Sequence, residues 1–231
     1  MIWHDVECGA YAADLPLWRE LAVAHATGPI LEVGAGTGRV ALDLAARGHR
    51  VIALERDEVL ARELARRARD LPIEVLCADA CDFALEQPVS LCVVPMQTVQ
   101  LLDDRRAFLG CARAAVAPGG VLGLALLGEG VQPFSVELDA DVLERGGVRY
   151  TSTPTALRQT TATVVIERRR RAEGEEVEYA SLDVVTLQRL DAASVLAEAL
   201  RSGFALHGVR SISPTAEHVG SEVLLLRAVA Q

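Results

Sequence analysis

Gly34, Gly36 and Gly38 stand at every second position of Glu32-Val33-Gly34-Ala35-Gly36-Thr37-Gly38-Arg39, and Glu55 closes the next apolar run. Glycine at the first position lets a chain turn sharply out of a strand; at the second it lets backbone come close to a ligand where a side chain would collide. A carboxylate ending the following strand can accept two hydrogen bonds from a ribose diol. The pattern suits a ligand that carries a nucleoside, and its plain alternative is an ordinary tight strand-to-helix connection. A dinucleotide fingerprint spaced GxGxxG would need its third glycine at position 39, where the chain has Arg39.

The elements that must hold these residues can be read from apolar periodicity. Ala12 to Thr27 reads as a helix, Ile30 to Val33 as a short buried strand, Gly38 to Arg47 as a helix and Arg50 to Leu54 as a strand. Glu58 to Arg69 (helix), Ile73 to Cys77 and Leu91 to Val94 (strands), Arg105 to Val116 (helix) and Val121 to Leu127 (strand) continue the alternation. Short apolar strands separated by helices predict a parallel sheet covered on both faces. From Gly147 the rhythm changes: Val148 to Thr153, Leu157 to Arg168 and Val177 to Leu190 are rich in Thr and Val and read as antiparallel strands. A helix, Asp191 to Arg201 with Asp191 as N-cap, and strands Ala205 to Ile212 and Val223 to Val229 follow. Arg168 to Arg171 alternate between strand faces, so they make no single basic face; pairing with Glu173, Glu175, Glu176 and Glu178 across the predicted turn is the expected arrangement.

Composition narrows the chemistry. A net charge of −9 opposes the phosphate neutralisation that nucleic-acid binding needs. All 23 basic residues are arginine, and lysine and asparagine are absent, so a Schiff-base or P-loop lysine is excluded. Five cysteines without paired CxxC spacing read as reduced thiols, and no metal site is expected. No apolar run is long enough to span a bilayer, and the segment MIWHDVECGA lacks the basic-then-apolar pattern of a leader, so the expected location is cytoplasmic, without membrane contact.

Three further features accompany the glycine turn: Glu55, Asp79 in "CADACDF" and the "APGG" turn before the fifth strand. In this order they resemble class I S-adenosylmethionine-dependent methyltransferases. "LEVGAGTGR" is similar to that family's first motif, "VIALER" to its second, "CADACDF" to its third, "VSLCVVPMQTVQLL" to its fourth and "ARAAVAPGGVLGLAL" to its fifth. Ser90 or Val89 stands where the family's fourth strand usually begins with an acidic residue. The front segment "DVECGAYAADLPLWRELA" and the insertion are similar to those of amino-sugar N,N-dimethyltransferases and, more loosely, glycine-type N-methyltransferases. The resemblance implies a Rossmann-like seven-stranded α/β sheet whose last strand is antiparallel, with an antiparallel β insertion after the fifth strand. One domain is expected: a cap at residues 1–28, a cofactor-binding core at 29–146, the insertion at 147–190, and a closing helix and strands at 191–231.

The resemblance also implies roles. Gly34, Ala35, Gly36 and Gly38 would pass beneath the methionyl part of S-adenosyl-L-methionine, with Glu32 helping to hold the turn. Glu55 would hold the ribose hydroxyls, Arg56 flank the adenine, Asp79 accept from its amine, and the Ala80 amide meet the ring edge. Pro95 and Met96 would line the transferring methyl, and Tyr11 would reach from the cap toward the cofactor carboxylate. The duller readings are a packed aromatic for Tyr11, a turn cap for Asp79 and core filling for Met96.

The implied reaction is methyl transfer to a nitrogen or oxygen of a small-molecule acceptor, leaving S-adenosyl-L-homocysteine, with a possible homodimer through the β insertion. A base is needed only if the acceptor arrives protonated or as a hydroxyl. His25 reads as a helix end, His49 as a surface turn and His207 as strand, which leaves His4 and His218 in loops. The rim of the sheet would bring Met96, Gln97, the start of the insertion and the loop Ser213 to Gly220 together, making His218 and Gln97 the candidate catalytic residues. The alternatives are a nucleotide-dependent oxidoreductase and a non-catalytic cofactor-binding protein of the same fold.

Overall fold

The computed structural model describes residues 1–127, 131–215 and 218–230. Among these the chain runs α1 (Ile2–Cys8), α2 (Leu15–His25), β1 (Ile30–Val33), α3 (Arg39–Ala45), β2 (Val51–Glu55), α4 (Glu58–Arg67), β3 (Ile73–Cys77) and β4 (Val89–Val94). It continues through α5 (Arg105–Ala115), β5 (Val116–Leu127), β6 (Asp141–Arg145), β7 (Val148–Gln159), β8 (Thr163–Glu173), β9 (Glu178–Gln188), α6 (Ala192–Arg201), β10 (Phe204–Ile212) and β11 (Ser221–Ala228). Aspartate side chains start three helices: Asp57 accepts from Val59 and Leu60 N–H, Asp104 from Ala107 N–H, and Asp191, as expected, from Ser194 N–H.

Seven strands form one sheet in the order β10-β11-β5-β4-β1-β2-β3. The first five are parallel, and β11 is antiparallel to both neighbours, as the motif order implied. Alternation along β1 divides the core. Leu31 and Val33 face Phe108, Ala112, Val195 and Ala199 of α5 and α6, while Ile30 faces Trp18, Leu21, Val40 and Leu44 of α2 and α3. Glu32 shares the Ile30 face, so a carboxyl enters the second of these layers.

The insertion is a four-stranded antiparallel sheet, β6-β7-β8-β9. It has one strand more than the Thr/Val runs predict and starts at Asp141, because Gly146 and Gly147, with φ of +60° and +76°, make the β6–β7 turn inside the sheet. Val148–Thr153 and Leu157 belong to a single strand, β7, which accommodates Pro154 through a bulge between Pro154 and Ala156.

The arginine run is paired differently from the expectation. Arg168 bonds Asp141 and Ser152, Arg170 bonds Glu7 and Asp183, and Arg169, on the other face, bonds Glu137. The glutamates near the β8–β9 turn are not their partners. Glu7 lies on α1, a helix that periodicity does not reveal: it holds seven residues with no side-chain cap. Trp3 on the same helix meets Tyr150 edge-on at 5.7 Å and lies beneath the Arg170 guanidinium, 5.6 Å from its ring centroid. Burial works against ionising Glu7, but hydrogen bonds from Arg170 and Ser152 outweigh it and hold the carboxyl below its ordinary pKa.

Among the described residues no helix is long and apolar enough to cross a membrane, and no group of three His, Cys, Asp or Glu side chains is placed to hold a metal ion.

Gln100, buried in the turn after β4, joins the two sheets. Its Oε1 accepts from Leu127 N–H at 2.6 Å and its Nε2 donates to Gln188 C=O at 2.8 Å, tying the end of β5 to the end of β9. Gln100→Ala leaves both backbone groups without their partner, at a cost of about 1–3 kcal/mol each. Urea denaturation is expected to show a lower midpoint by a corresponding amount, and an unchanged midpoint would show that the joint does not depend on this amide.

Candidate active site

The turn from β1 to α3 is held from behind by β2. Gly34 and Ala35 N–H both donate to Leu54 C=O, at 2.9 and 3.0 Å, and Gly36 N–H donates to Glu55 Oε2 at 2.8 Å. Glu55 Oε1 accepts from Asp57 N–H at 2.9 Å. Glu55 is buried, and each carboxylate oxygen keeps a second acceptor position. The sequence suggests a ribose ligand for this carboxylate; the fold shows that it also fixes the turn.

Gly34 and Gly36 have φ of +74° and +57°, a region L side chains rarely adopt. A side chain at Gly34 would strike Thr98, whose Oγ1 and Cγ2 lie 2.8 and 2.4 Å from the Cβ position. At Gly36 the same position lies 2.2 Å from His4 Nε2. The space beside Gly36 is thus bordered by α1, and a valine there would collide with the cap. His4, expected in a loop, is a helical residue packed on the glycine turn.

Behind the turn is a buried charge cluster. Arg39, at the place where a third glycine was sought, makes a two-pronged ion pair with Asp14 at 2.5 and 2.7 Å and donates to Tyr11 C=O at 3.0 Å. Trp18 Nε1–H also donates to Asp14, at 2.9 Å. Sequence reasoning assigned no role to Arg39 or Asp14; the usable signal was a charged residue opening a helix directly after the glycine turn. Glu32 lies in the same layer with Oε2 unpartnered among the described residues. Burial pushes its pKa up to about 8 despite Arg39 and a hydrogen bond from the Ala41 amide.

Tyr11 is buried, under the Arg39 guanidinium at 5.0 Å and stacked on His218 with centroids 4.5 Å apart. Burial, then the charge of Asp14, pushes its hydroxyl pKa to about 12, so it remains a donor at neutral pH. His218 Nε2 is 3.1 Å from Glu7 C=O. A carbonyl only accepts, so Nε2 carries a proton, and in the neutral form of the ring Nδ1 is the acceptor. Met96, after β4, is the one non-glycine residue with positive φ, +54°, among those described, and it packs into the Tyr11 layer. Pro95 is buried, and Gln97 opens the short helical turn Thr98–Gln100.

At the other end of the site, Ala80 is buried and Arg56 is exposed beside Asp103, 3.8 Å away. Asp79 Oδ1 accepts from Cys81 N–H at 2.7 Å, capping its own turn and leaving Oδ2 free of that bond.

The loops after β5 and β10 meet at a cleft of about 790 Å³ lined by Val131, Phe134, Ile212, Pro214, Val219 and Glu222. Gln97 and His218 are not part of its wall, so the single rim expected for the three loops is only partly assembled. Positions 216 and 217 of the expected loop Ser213–Gly220, and 128–130 after β5, lie outside the described residues.

Residues 30–120, which contain the turn, Glu55, Asp79 and β4, match the family described as methyltransferase domain. Over that span the chain is similar to a methyltransferase domain. A curated relative, ribosomal RNA small subunit methyltransferase A of Deinococcus radiodurans, is 38% identical over 76 residues, which is 32% of this chain and 26% of that protein. The chain thus spans about a quarter of the length of that relative. Among solved structures, CalS10, an amino pentose methyltransferase from Micromonospora echinaspora solved with bound SAM, has a TM-score of 0.77 at 17% identity, over 99% of this chain and 97% of that one. DesVI from Streptomyces venezuelae has a TM-score of 0.76 at 19% identity, over 99% and 96%. The fold is thus shared over nearly the whole chain, cap and insertion included.

Glu32 offers a direct test of the buried cluster. Because its folded pKa of about 8 lies above the ordinary 4.5, the unfolded chain loses this proton first as pH rises. Wild-type stability is therefore expected to fall relative to Glu32→Gln between about pH 4.5 and 8, then level off. Thermal melts of both proteins across that window check it, and parallel curves would mean that Glu32 is not held protonated.

Proposed function

We propose that this chain is an S-adenosyl-L-methionine-dependent methyltransferase acting on a nitrogen or oxygen of a small-molecule acceptor. The observation that carries the reading is the turn Gly34–Gly38 held by Glu55, which keeps acceptor positions to spare, together with Glu32 Oε2, a buried oxygen without a partner among the described residues. A nucleoside with an attached α-ammonium group suits both: the diol for Glu55, and for Glu32 Oε2 an N–H donor whose positive charge would offset the burial that holds the proton on that carboxyl. When bound, S-adenosyl-L-methionine supplies an electrophilic methyl on a sulfonium.

The residues then divide the work. Gly34, Ala35, Gly36 and Gly38 give the methionyl chain a floor, and the Tyr11 hydroxyl donates to its carboxylate. Arg56 flanks the adenine, Asp79 Oδ2 accepts from its amine and the Ala80 amide meets the ring edge. Pro95 and Met96 wall the methyl. Displacement at that carbon needs acceptor and sulfur in line and water excluded, which positioning alone favours by several kcal/mol, up to ~7–11 kcal/mol. Gln97 offers both a donor and an acceptor for orienting the acceptor molecule, and His218 Nδ1 takes a proton from it where one must leave. The cap and the insertion support a small acceptor, and the net charge of −9 runs against a polymeric nucleic acid.

Calorimetry with S-adenosyl-L-homocysteine tests the cofactor, and turnover separates the roles. Glu55→Ala is expected to weaken binding by about tenfold to a hundredfold. His218→Ala and Gln97→Ala are expected to lower kcat more than they weaken cofactor binding. No binding by the wild type would remove the reading, and variants that lose only cofactor affinity would move His218 and Gln97 out of the acceptor site.

The outward face of β9 carries Leu182 and Val184, both more than half exposed. A second copy packing there gives a homodimer through the insertion. Light scattering is expected to give twice the chain mass for the wild type and a shift toward monomer for a Leu182→Glu, Val184→Glu double variant; a monomeric wild type would rule the dimer out.

A further inference from the structure

Helix α1 lies between the glycine turn and the insertion sheet, and its side chains divide between them. Trp3 and Glu7 meet the insertion; His4 and Asp5 meet the turn. The hydroxyl of Thr37 has one hydrogen, which goes to Asp5 Oδ1 at 2.7 Å because a carboxylate only accepts. Toward His4 Nδ1, 3.2 Å away, Thr37 is therefore the acceptor, so Nδ1 carries the ring proton. Burial lowers the His4 pKa in spite of the nearby negative charges of Asp5 and Glu55, which leaves the ring neutral at pH 7 and Nε2 a bare acceptor.

That end of the ring rests on Gly36, with Nε2 and Cε1 only 2.2 and 2.3 Å from where a Cβ would be. The Gly36 amide is itself held by Glu55. An imidazole acceptor and a carboxylate acceptor thus flank one residue of the turn, and the imidazole arrives from the cap. No other partner of Nε2 is present among the described residues, although the ring's proton and orientation are fixed by two successive hydrogen bonds.

We propose that His4 is a cofactor-binding residue, its Nε2 accepting a hydrogen bond from the ligand that lies along the glycine turn beside Glu55. The inference rests on the methyltransferase reading of that turn. It also gives α1 a purpose: a ligand held by His4 is held by the same helix that carries Trp3 and Glu7 into the insertion, so filling the cofactor site steadies the insertion sheet.

Titration calorimetry with S-adenosyl-L-homocysteine on wild type, His4→Ala, His4→Phe and His4→Gln tests it. Removing the acceptor, in the alanine variant or in phenylalanine with a ring still present, is expected to weaken binding about tenfold. His4→Gln, which returns an oxygen acceptor near the Nε2 position, is expected to recover most of that loss. Equal or tighter binding by both His4→Ala and His4→Phe would overturn the proposal, since the ring would then merely fill or block the groove. So would an equal loss in all three variants, which would reduce His4 to a prop for the turn. A wild type that binds no S-adenosyl-L-homocysteine fails with the methyltransferase reading itself; a wild type that binds beside unaffected variants fails on His4 alone.

Discussion

The candidate site depends on the carboxylate of Glu55. Its two oxygens reach in different directions along the backbone, one to the Gly36 amide and one to the Asp57 amide. It therefore couples the glycine turn, the end of β2 and the start of α4, where Asp57 caps the helix. Three backbone segments that converge at the carboxyl edge of a parallel sheet would each carry unpaired amides, and one buried anion satisfies two of them. In the proposed function the same carboxylate receives the ribose diol, so one group would both hold the turn and recognise the ligand.

A second level of organisation comes from α1. A helix of seven residues is too short to be stable by itself, and here tertiary partners hold it on several sides. Asp5 bonds Thr37 and Arg67, Glu7 bonds Arg170 and Ser152, and the C-terminal carbonyl of Glu7 receives His218. The result is a strut between the parallel sheet and the insertion sheet, with Gln100 forming a second, independent joint on the core side. The cap is part of the connection between the two sheets, not an appendage to one of them.

Much of this was legible in the sequence where local chemistry decides. β1 and β3 fall where short apolar runs end at turn residues, and Asp191 caps α6 because an aspartate before an apolar periodic segment has few better options. The glycine turn and Glu55 were recognisable for the same reason. What was illegible depends on distant partners. The run Arg168–Arg171 suggested the glutamates next to it, but the partner of Arg170 is Glu7, 163 residues away. The helix containing Glu7 has no periodic stripe to betray it. Gly146 and Gly147 marked a boundary in the sequence and a hairpin in the fold, because a glycine pair signals a turn without saying which strands it joins. In the sequence Arg39 reads only as a missing glycine; its pairing with Asp14 requires the fold to bring α2 across α3.

The absence of lysine has a consequence for the strut. Every cation that grips α1 is a guanidinium, which holds its proton throughout the range in which proteins fold. On the acidic side stand Asp5 and Glu7. Burial resists their ionisation, yet hydrogen bonds from Arg67 and Thr37 to Asp5, and from Arg170 and Ser152 to Glu7, keep both below their ordinary pKa values. A carboxylate with a depressed folded pKa contributes stability above its unfolded pKa and loses it as pH falls through the folded value. The grip on α1 is therefore one-sided with respect to pH: alkaline conditions leave its charges intact, and only acid unfastens the cap from the two sheets.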